Sequence, residues 1–164
     1  HMGANIELQN EINSLEPTAD ILVKTSDLKG ISLNTALVAN MIDEMPAFFI
    51  AAALAEGITK IKDVKELRAK ESDRLQAMSE ALESFGVKFH LNGDGIVING
   101  LGKDGVFKAS KISSHGDHRI AMASSIASLR AEGETTIIDC HNVNTSFPNF
   151  IDVCREVGIN IAET

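Results

Sequence analysis

The chain contains no tryptophan and no tyrosine, and its seven phenylalanines bring the aromatic share to only 4%. A surface that stacks bases or sugar rings needs more aromatic area, so the composition argues against such a platform. Only two cysteines occur, Cys140 and Cys154. They are too few for a disulfide framework and point to a reduced, cytoplasmic setting. Positive charge is in deficit, with 15 Lys and Arg against 23 Asp and Glu and a net charge of −8. That balance argues against nucleic acid or an anionic membrane as the main partner. Long hydrophobic runs are missing too. The longest, Ala47 to Ala55, is far short of the roughly 20 residues that span a bilayer. No secretory signal is visible, and His1-Met2 reads as a cloning scar ahead of the native chain.

What is present suits a packed core. The 164 residues are 44% hydrophobic, enough for one domain or one lobe of a larger protein. An internal repeat organises them. The stretch from Ala55-Glu56-Gly57 through Thr59 to Asp63 is echoed by Ala131-Glu132-Gly133 through Thr135 to Asp139, in register from the Ala to the Asp. Phe85-Gly86-Val87 returns as Val157-Gly158-Ile159, and Gly3-Ala4 resembles an earlier copy of that junction. The chain therefore reads as two similar units, 20–92 and 94–164, entered at the tail of a preceding one.

Each unit predicts the same elements. Short strands are expected at Val87 to Leu91, Gly95 to Asn99 and Val106 to Ser110. Apolar helices follow from about Pro46 to Glu56 and from Asp117 to Glu132, with Pro46 in a first turn and Gly57 and Gly133 as C-terminal stops. Strands at Thr59 to Lys62 and Thr135 to Ile138 lead through polar loops into second helices, Ser72 to Phe85 and Pro148 to Val157. Leu75, Met78, Leu82 and Phe85 form one apolar stripe on the first of these. Gly93-Asp94-Gly95 reads as a hairpin turn. The fold class is α/β, built from repeats.

Charged clusters stand at three loop-to-helix joints: Asp43-Glu44-Met45-Pro46, the run from Glu66 to Arg74, and His115-Gly116-Asp117-His118-Arg119. Helix starts offer free N–H groups and partial positive charge, and added Lys or Arg makes them anion sites. Arg74 and Arg119 can each grip a carboxylate or phosphate in a fork. Asp43 and Glu71 can serve beside the anion as acid and base. Plainer readings stay open at this point. Asp43 is also placed to cap the helix near Pro46, the Lys70 to Arg74 run to be a solvated first turn, and Asp117 with Arg119 to be a cap with an exposed ion pair. His115, His118, Cys140 and His141 match no closed zinc pattern, so no metal is expected. His90, alone on a strand, reads as a surface or structural residue.

Together the clusters are specific. Glu66-Leu67-Arg68-Ala69-Lys70-Glu71-Ser72-Asp73-Arg74-Leu75, Gly116-Asp117-His118-Arg119-Ile120-Ala121-Met122 and Asn144-Thr145-Ser146-Phe147-Pro148 resemble the EPSP synthase family, the 3-phosphoshikimate 1-carboxyvinyltransferases. Asp43-Glu44-Met45-Pro46 fits the same family in the expected order, and the resemblance covers residues 3–164. It implies transfer of the enolpyruvyl group from phosphoenolpyruvate to the 5-hydroxyl of shikimate 3-phosphate, with release of phosphate and without metal or organic cofactor. It also implies the family's two-lobed, inside-out α/β barrel of βαβαββ units, of which this chain is part of the C-terminal lobe. The N-terminal lobe, which completes the cleft, lies outside it.

Site roles come from the same resemblance. Asp43 corresponds to the carboxylate that touches the shikimate hydroxyl and is a candidate base. Glu71 corresponds to the residue that protonates the methylene carbon of phosphoenolpyruvate. Lys70 corresponds to a substrate-contacting lysine, Arg74 and Arg119 to the pair on the phosphoenolpyruvate carboxylate, His118 to a pocket wall, and Glu66 to a polar contact with shikimate. Some family members carry a Lys directly before the Ser/Thr-Phe-Pro motif. Here Thr145 stands there, so no cationic contact is carried over from that loop. Two other readings remain, a lobe of the UDP-N-acetylglucosamine enolpyruvyl transferase kind and a non-catalytic binding module.

Overall fold

The computed structural model describes residues 1–163. It opens on a hairpin that the repeat pattern did not announce, strands β1 (Asn5–Ile12) and β2 (Thr18–Lys24), paired antiparallel with Ile6 opposite Val23 and Leu8 opposite Ile21. Period-two alternation puts those four side chains on one face, and each is more than half exposed. The signal was present in the sequence as Ile6/Leu8 and Ile21/Val23.

Next comes a helical stretch in three pieces: α1 (Thr35–Val38), a 3-10 segment Ala39–Glu44, and α2 (Met45–Leu54). Asn34 caps α1 by accepting from the Ala36 N–H, and Met41 breaks the stretch with φ −125°, ψ 20°. Taken together, Thr35–Leu54 is long and apolar enough to cross a membrane by length and composition alone, with mean hydropathy 1.5. Its inner side packs in the core instead, where Met45, Phe49, Ala52 and Ala53 have no exposure.

Strand β3 (Ile58–Ile61) then joins β4 (Lys88–Asn92) and β5 (Gly95–Asn99) in an antiparallel sheet of order β3-β5-β4. Between them run a 3-10 segment, Lys65–Ala69, and α3 (Arg74–Ser84), capped by Asp73, whose Oδ1 accepts from the Gln76 N–H at 3.0 Å. The expected stripe is the core face of α3. Leu75, Met78, Leu82 and Phe85 are each at most 1% exposed, and each such burial stabilises by about 1.5–3 kcal/mol.

The second half has shorter strands, and they pair in parallel. β6 (Phe107–Lys108) pairs parallel with β8 (Ala131–Glu132), and β7 (Lys111–Ser113) pairs parallel with β9 (Thr136–Ile138). α4 (His118–Ala127) lies between them, and α5 (Val143–Ser146) and α6 (Phe150–Glu156) follow.

The expected helix stops are corrected. α2 ends at Leu54, and α4 ends at Ala127 and runs on as a 3-10 turn, Ser128–Arg130, so each helical stretch stops two residues short of the expected Glu56 and Glu132. The backbone has a better partner than another helical turn. Glu56 bridges in parallel to Lys29, and Glu132 pairs with Lys108. The repeated Ala-Glu-Gly marks where the chain leaves the helix for a strand, and Gly57 and Gly133 supply the left-handed turn there, with φ +89° and +112°. Gly100 has a different duty. It lies so close under the end of α2 that an added Cβ would stand 1.9 Å from the Ala55 carbonyl oxygen. That approach lets the Leu101 and Gly102 N–H groups donate to the carbonyls of Ala53, in the last turn of α2, and of Ala55, just past its end.

Candidate functional site

The starts of α2, α3 and α4 meet at one place. Arg74 is the first residue of α3, yet its side chain is only 1% exposed. A buried guanidinium requires carboxylates around it, and three supply them. Asp117 receives Nε at 2.8 Å, Asp43 receives Nη1 at 2.9 Å, and Glu71 receives Nη2 at 2.5 Å. Asp117 has no exposure, whereas Asp43 and Glu71 are 41% and 51% exposed. One end of the cluster is therefore sealed and the other open to ligand.

Asp117 ties two helices together. Its Oδ1 caps α4 by accepting the Arg119 N–H at 2.9 Å, and its Oδ2 takes Arg74 and the Ser72 hydroxyl, the latter at 3.0 Å. The capping reading of Asp117 thus holds, but its ion pair is not the exposed one with Arg119. The Arg119 side chain goes instead to the Asp43 carbonyl oxygen at 3.0 Å and to Glu44 at 3.4 Å. Burial pushes the Asp117 carboxyl up, but the hydrogen bonds from Arg74 and from the Arg119 N–H, with the Arg74 charge, outweigh burial and hold it below the usual carboxylate range. Burial likewise opposes the charge on Arg74, and its acidic partners more than restore it.

Asp43 does not cap α2. Glu44 occupies that position and makes no capping bond. The Asp43 carboxylate instead faces the cations, with Lys70 Nζ at 3.0 Å, Arg74 at 2.9 Å and Arg119 Nη2 at 4.0 Å. The hydrogen bond from Lys70 is the largest cause holding this carboxyl below its ordinary value. Burial opposes it, and Arg74 and Arg119 add to it. A cleft of about 240 Å³ opens beside this point, between α2 and α4. Asp43, Glu44 and Arg119 form its charged end, while Ala47, Ile50, Met122 and Ile126 make an apolar wall.

Five of the residues singled out in the sequence therefore come together: Asp43, Lys70, Glu71, Arg74 and Arg119. His118, half-buried at the first position of α4, makes no hydrogen bond to them among the described residues, and neither does Glu66, exposed on the 3-10 segment. Thr145 is exposed on α5. His115 pairs with Glu80 at 2.8 Å and makes no hydrogen bond to the cluster among the described residues. Among the described residues no three His, Cys, Asp or Glu side chains are grouped to hold a metal. Both cysteines are free, and burial raises the Cys140 thiol above its ordinary value. The residues that sequence reasoning missed are Asp117 as the deep partner of Arg74, and Ser72 beside it. Nothing in the local spacing joins positions so far apart in the chain.

The family profile described as EPSP synthase (3-phosphoshikimate 1-carboxyvinyltransferase) matches residues 1–154. A 3-phosphoshikimate 1-carboxyvinyltransferase from Hydrogenovibrio crunogenus is 50% identical over 163 residues, covering 98% of this chain and 36% of the relative. One from Salinibacter ruber is 44% identical, covering 97% and 37%. A solved EPSP synthase from Acinetobacter baumannii superposes with a TM-score of 0.92 at 44% identity, over 96% of this chain and 37% of that one. The enolpyruvyl transferase NikO from Streptomyces tendae, at 18% identity and a TM-score of 0.69, shares the fold. The chain thus spans little more than a third of the length of the relatives it matches.

Proposed function

The chain belongs to the EPSP synthase (3-phosphoshikimate 1-carboxyvinyltransferase) family, and from that premise we propose that it supplies one half of such an enzyme's active site. The complete enzyme transfers the enolpyruvyl group of phosphoenolpyruvate to the 5-hydroxyl of shikimate 3-phosphate and releases phosphate. Residues 3–164 form part of its C-terminal lobe, as two repeats, 20–92 and 94–164. They hold the phosphoenolpyruvate side of the cleft, and an opposing N-terminal lobe holds most of the shikimate 3-phosphate.

The observation that carries this reading is the convergence of Asp43, Lys70, Glu71, Arg74 and Arg119 at three helix starts. The reaction passes through a carbocation-like centre and a tetrahedral adduct that bears both carboxylate and phosphate. It needs fixed cations and two carboxyl groups working on opposite partners. Arg74 and Arg119 take the phosphoenolpyruvate carboxylate, and Lys70 steadies the adduct. Glu71 delivers a proton to the methylene carbon. Asp43 accepts the hydrogen bond, and then the proton, of the shikimate hydroxyl; the adduct then expels phosphate as the Glu71 carboxylate takes a proton back from the new methyl group, which restores the enol double bond. At rest Asp43 is a weak base because Lys70 and Arg74 hold its charge. An arriving anion competes for the N–H groups of those cations and adds its own negative charge, and so strengthens Asp43 as a base when the substrate is in place. His118 lines the pocket and Glu66 reaches the shikimate ring. The chemistry uses no cofactor, nucleic acid or membrane, and we place it in the cytoplasm.

The test is a phosphate-release assay with both substrates, on the 164-residue chain alone and then with the N-terminal part of the enzyme supplied separately. The chain is expected to fold but not to turn over alone, because an open cleft leaves the charges screened and the substrates unaligned. Complementation restores activity. Steady turnover by the chain alone at an ordinary enzymatic rate overturns the half-site reading.

A further inference from the structure

The three acids around Arg74 are not equally held. Asp117 is fully buried and is fixed on three sides, by Arg74 Nε, by the Ser72 hydroxyl and by the Arg119 N–H. Asp43 is shared between Lys70 and Arg74, and its carbonyl oxygen also receives Arg119. Glu71 has one bond among the described residues, to Arg74 Nη2 at 2.5 Å, and its side chain is 51% exposed. It stands exposed in the loop ahead of the Asp73 cap. Arg74 itself cannot follow a ligand outward, because its Nε edge is fixed to Asp117 inside the fold.

A carboxylate that approaches the outer edge of Arg74 therefore finds it filled by a group of its own chemistry. Asp117 holds Nε and Asp43 holds Nη1, so a further carboxylate has only the Nη2 corner to approach, where it stands against Glu71, the like charge that is least held. We infer that Glu71 is the resident occupant of the carboxylate subsite, that a ligand carboxylate takes its place on Arg74, and that the displaced Glu71 swings toward the ligand's reacting end. The exchange needs only a small carboxylate-bearing ligand. Its consequence for proton delivery rests on the function proposed above. Binding and activation are then one event: Glu71 is held as a carboxylate on arginine until the substrate releases it, and the freed group takes up a proton from water before it delivers one. Affinity is reduced by what the resident pair contributes, up to about fivefold for a half-exposed ion pair.

The experiment titrates the 164-residue chain with phosphoenolpyruvate and, separately, with acetate, following the side-chain 15N signals of Arg74 by NMR. Wild type is compared with Glu71→Gln and Glu44→Gln. Glu44 is the control because its side chain, 61% exposed and 3.4 Å from Arg119, carries the same charge at the same site without touching Arg74. Exchange predicts that Glu71→Gln binds both probes about two- to fivefold more tightly, that Glu44→Gln gains less than half as much, and that the Arg74 signals move on binding. An unchanged or weaker affinity in Glu71→Gln overturns the inference. So does an equal gain in Glu44→Gln, which reduces the effect to general charge. If acetate shows the exchange but phosphoenolpyruvate does not bind, the proposed function fails and the inference stands. If neither probe binds to any of the three proteins, the inference fails.

Discussion

Replacing Asp117 by Ala removes a helix cap, the deep partner of Arg74 and the acceptor for Ser72 in one step. Loss of an N-cap alone costs about 1 kcal/mol. Leaving a buried guanidinium without one of its carboxylates costs more, about 3–5 kcal/mol. The two overlap because one side chain does both, so the expected total is about 3–5 kcal/mol, a large part of the roughly 5–15 kcal/mol that holds a domain folded. Asp117→Asn keeps the shape and the cap, since Asn caps as well as Asp, but offers Arg74 a neutral acceptor. About 1–3 kcal/mol is expected there. Urea unfolding followed by circular dichroism at neutral pH separates the two variants. The acid limb adds a second check. The folded pKa of Asp117 lies below its unfolded value, so its contribution is complete above about pH 4 and is lost as pH falls from there toward the folded pKa. Asp117→Asn should therefore lose less stability than wild type over that interval. An Asp117→Ala protein destabilised by less than about 1 kcal/mol, with the same acid limb as wild type, refutes the dependence of Arg74 on this carboxylate.

Other outcomes follow from the same geometry. In the assembled two-lobed enzyme, Glu71→Gln should lower turnover by about 10²-fold or more while substrate affinity does not fall, as steady-state kinetics can report. Arg119→Ala should weaken phosphoenolpyruvate binding by about 10- to 150-fold, the loss of a charge-assisted contact, with shikimate 3-phosphate affected less. Gly100→Ala should destabilise the chain by about 1–3 kcal/mol or more, because its Cβ meets the Ala55 and Ala52 carbonyl oxygens at 1.9 and 2.8 Å. Thermal unfolding measures this, and an unchanged melting temperature would show that the end of α2 yields easily.

Local pattern made much of this fold readable. The apolar stripe of α3, Pro46 at the start of α2, and the Gly93-Asp94 turn between β4 and β5 each depend on neighbours a few residues away. The helix stops were misplaced at Gly57 and Gly133 because the rival to another helical turn was pairing with Lys29 and Lys108, distant in sequence. The site divides the same way. Clusters at helix starts pointed to Asp43, Lys70, Glu71, Arg74 and Arg119 as residues. What could not be read was who holds whom. Asp43 was as good a cap as a ligand partner until Glu44 was found at the capping position. Asp117 had an adjacent arginine to distract from Arg74, its real partner across the joint of two helices.

The hairpin β1–β2 governs how the chain behaves as a solute. One face carries Ile6, Leu8, Ile21 and Val23 bare to water, on a molecule whose net charge is −8. Dispersion in water then rests on repulsion between acidic molecules. As a buffer is acidified toward the isoelectric point, that repulsion fades while the apolar face remains, and chains meet through it. Added salt works in the same direction by shortening the reach of the repulsion. The surplus of Asp and Glu is thus a colloidal counterweight to a surface that the chain leaves uncovered.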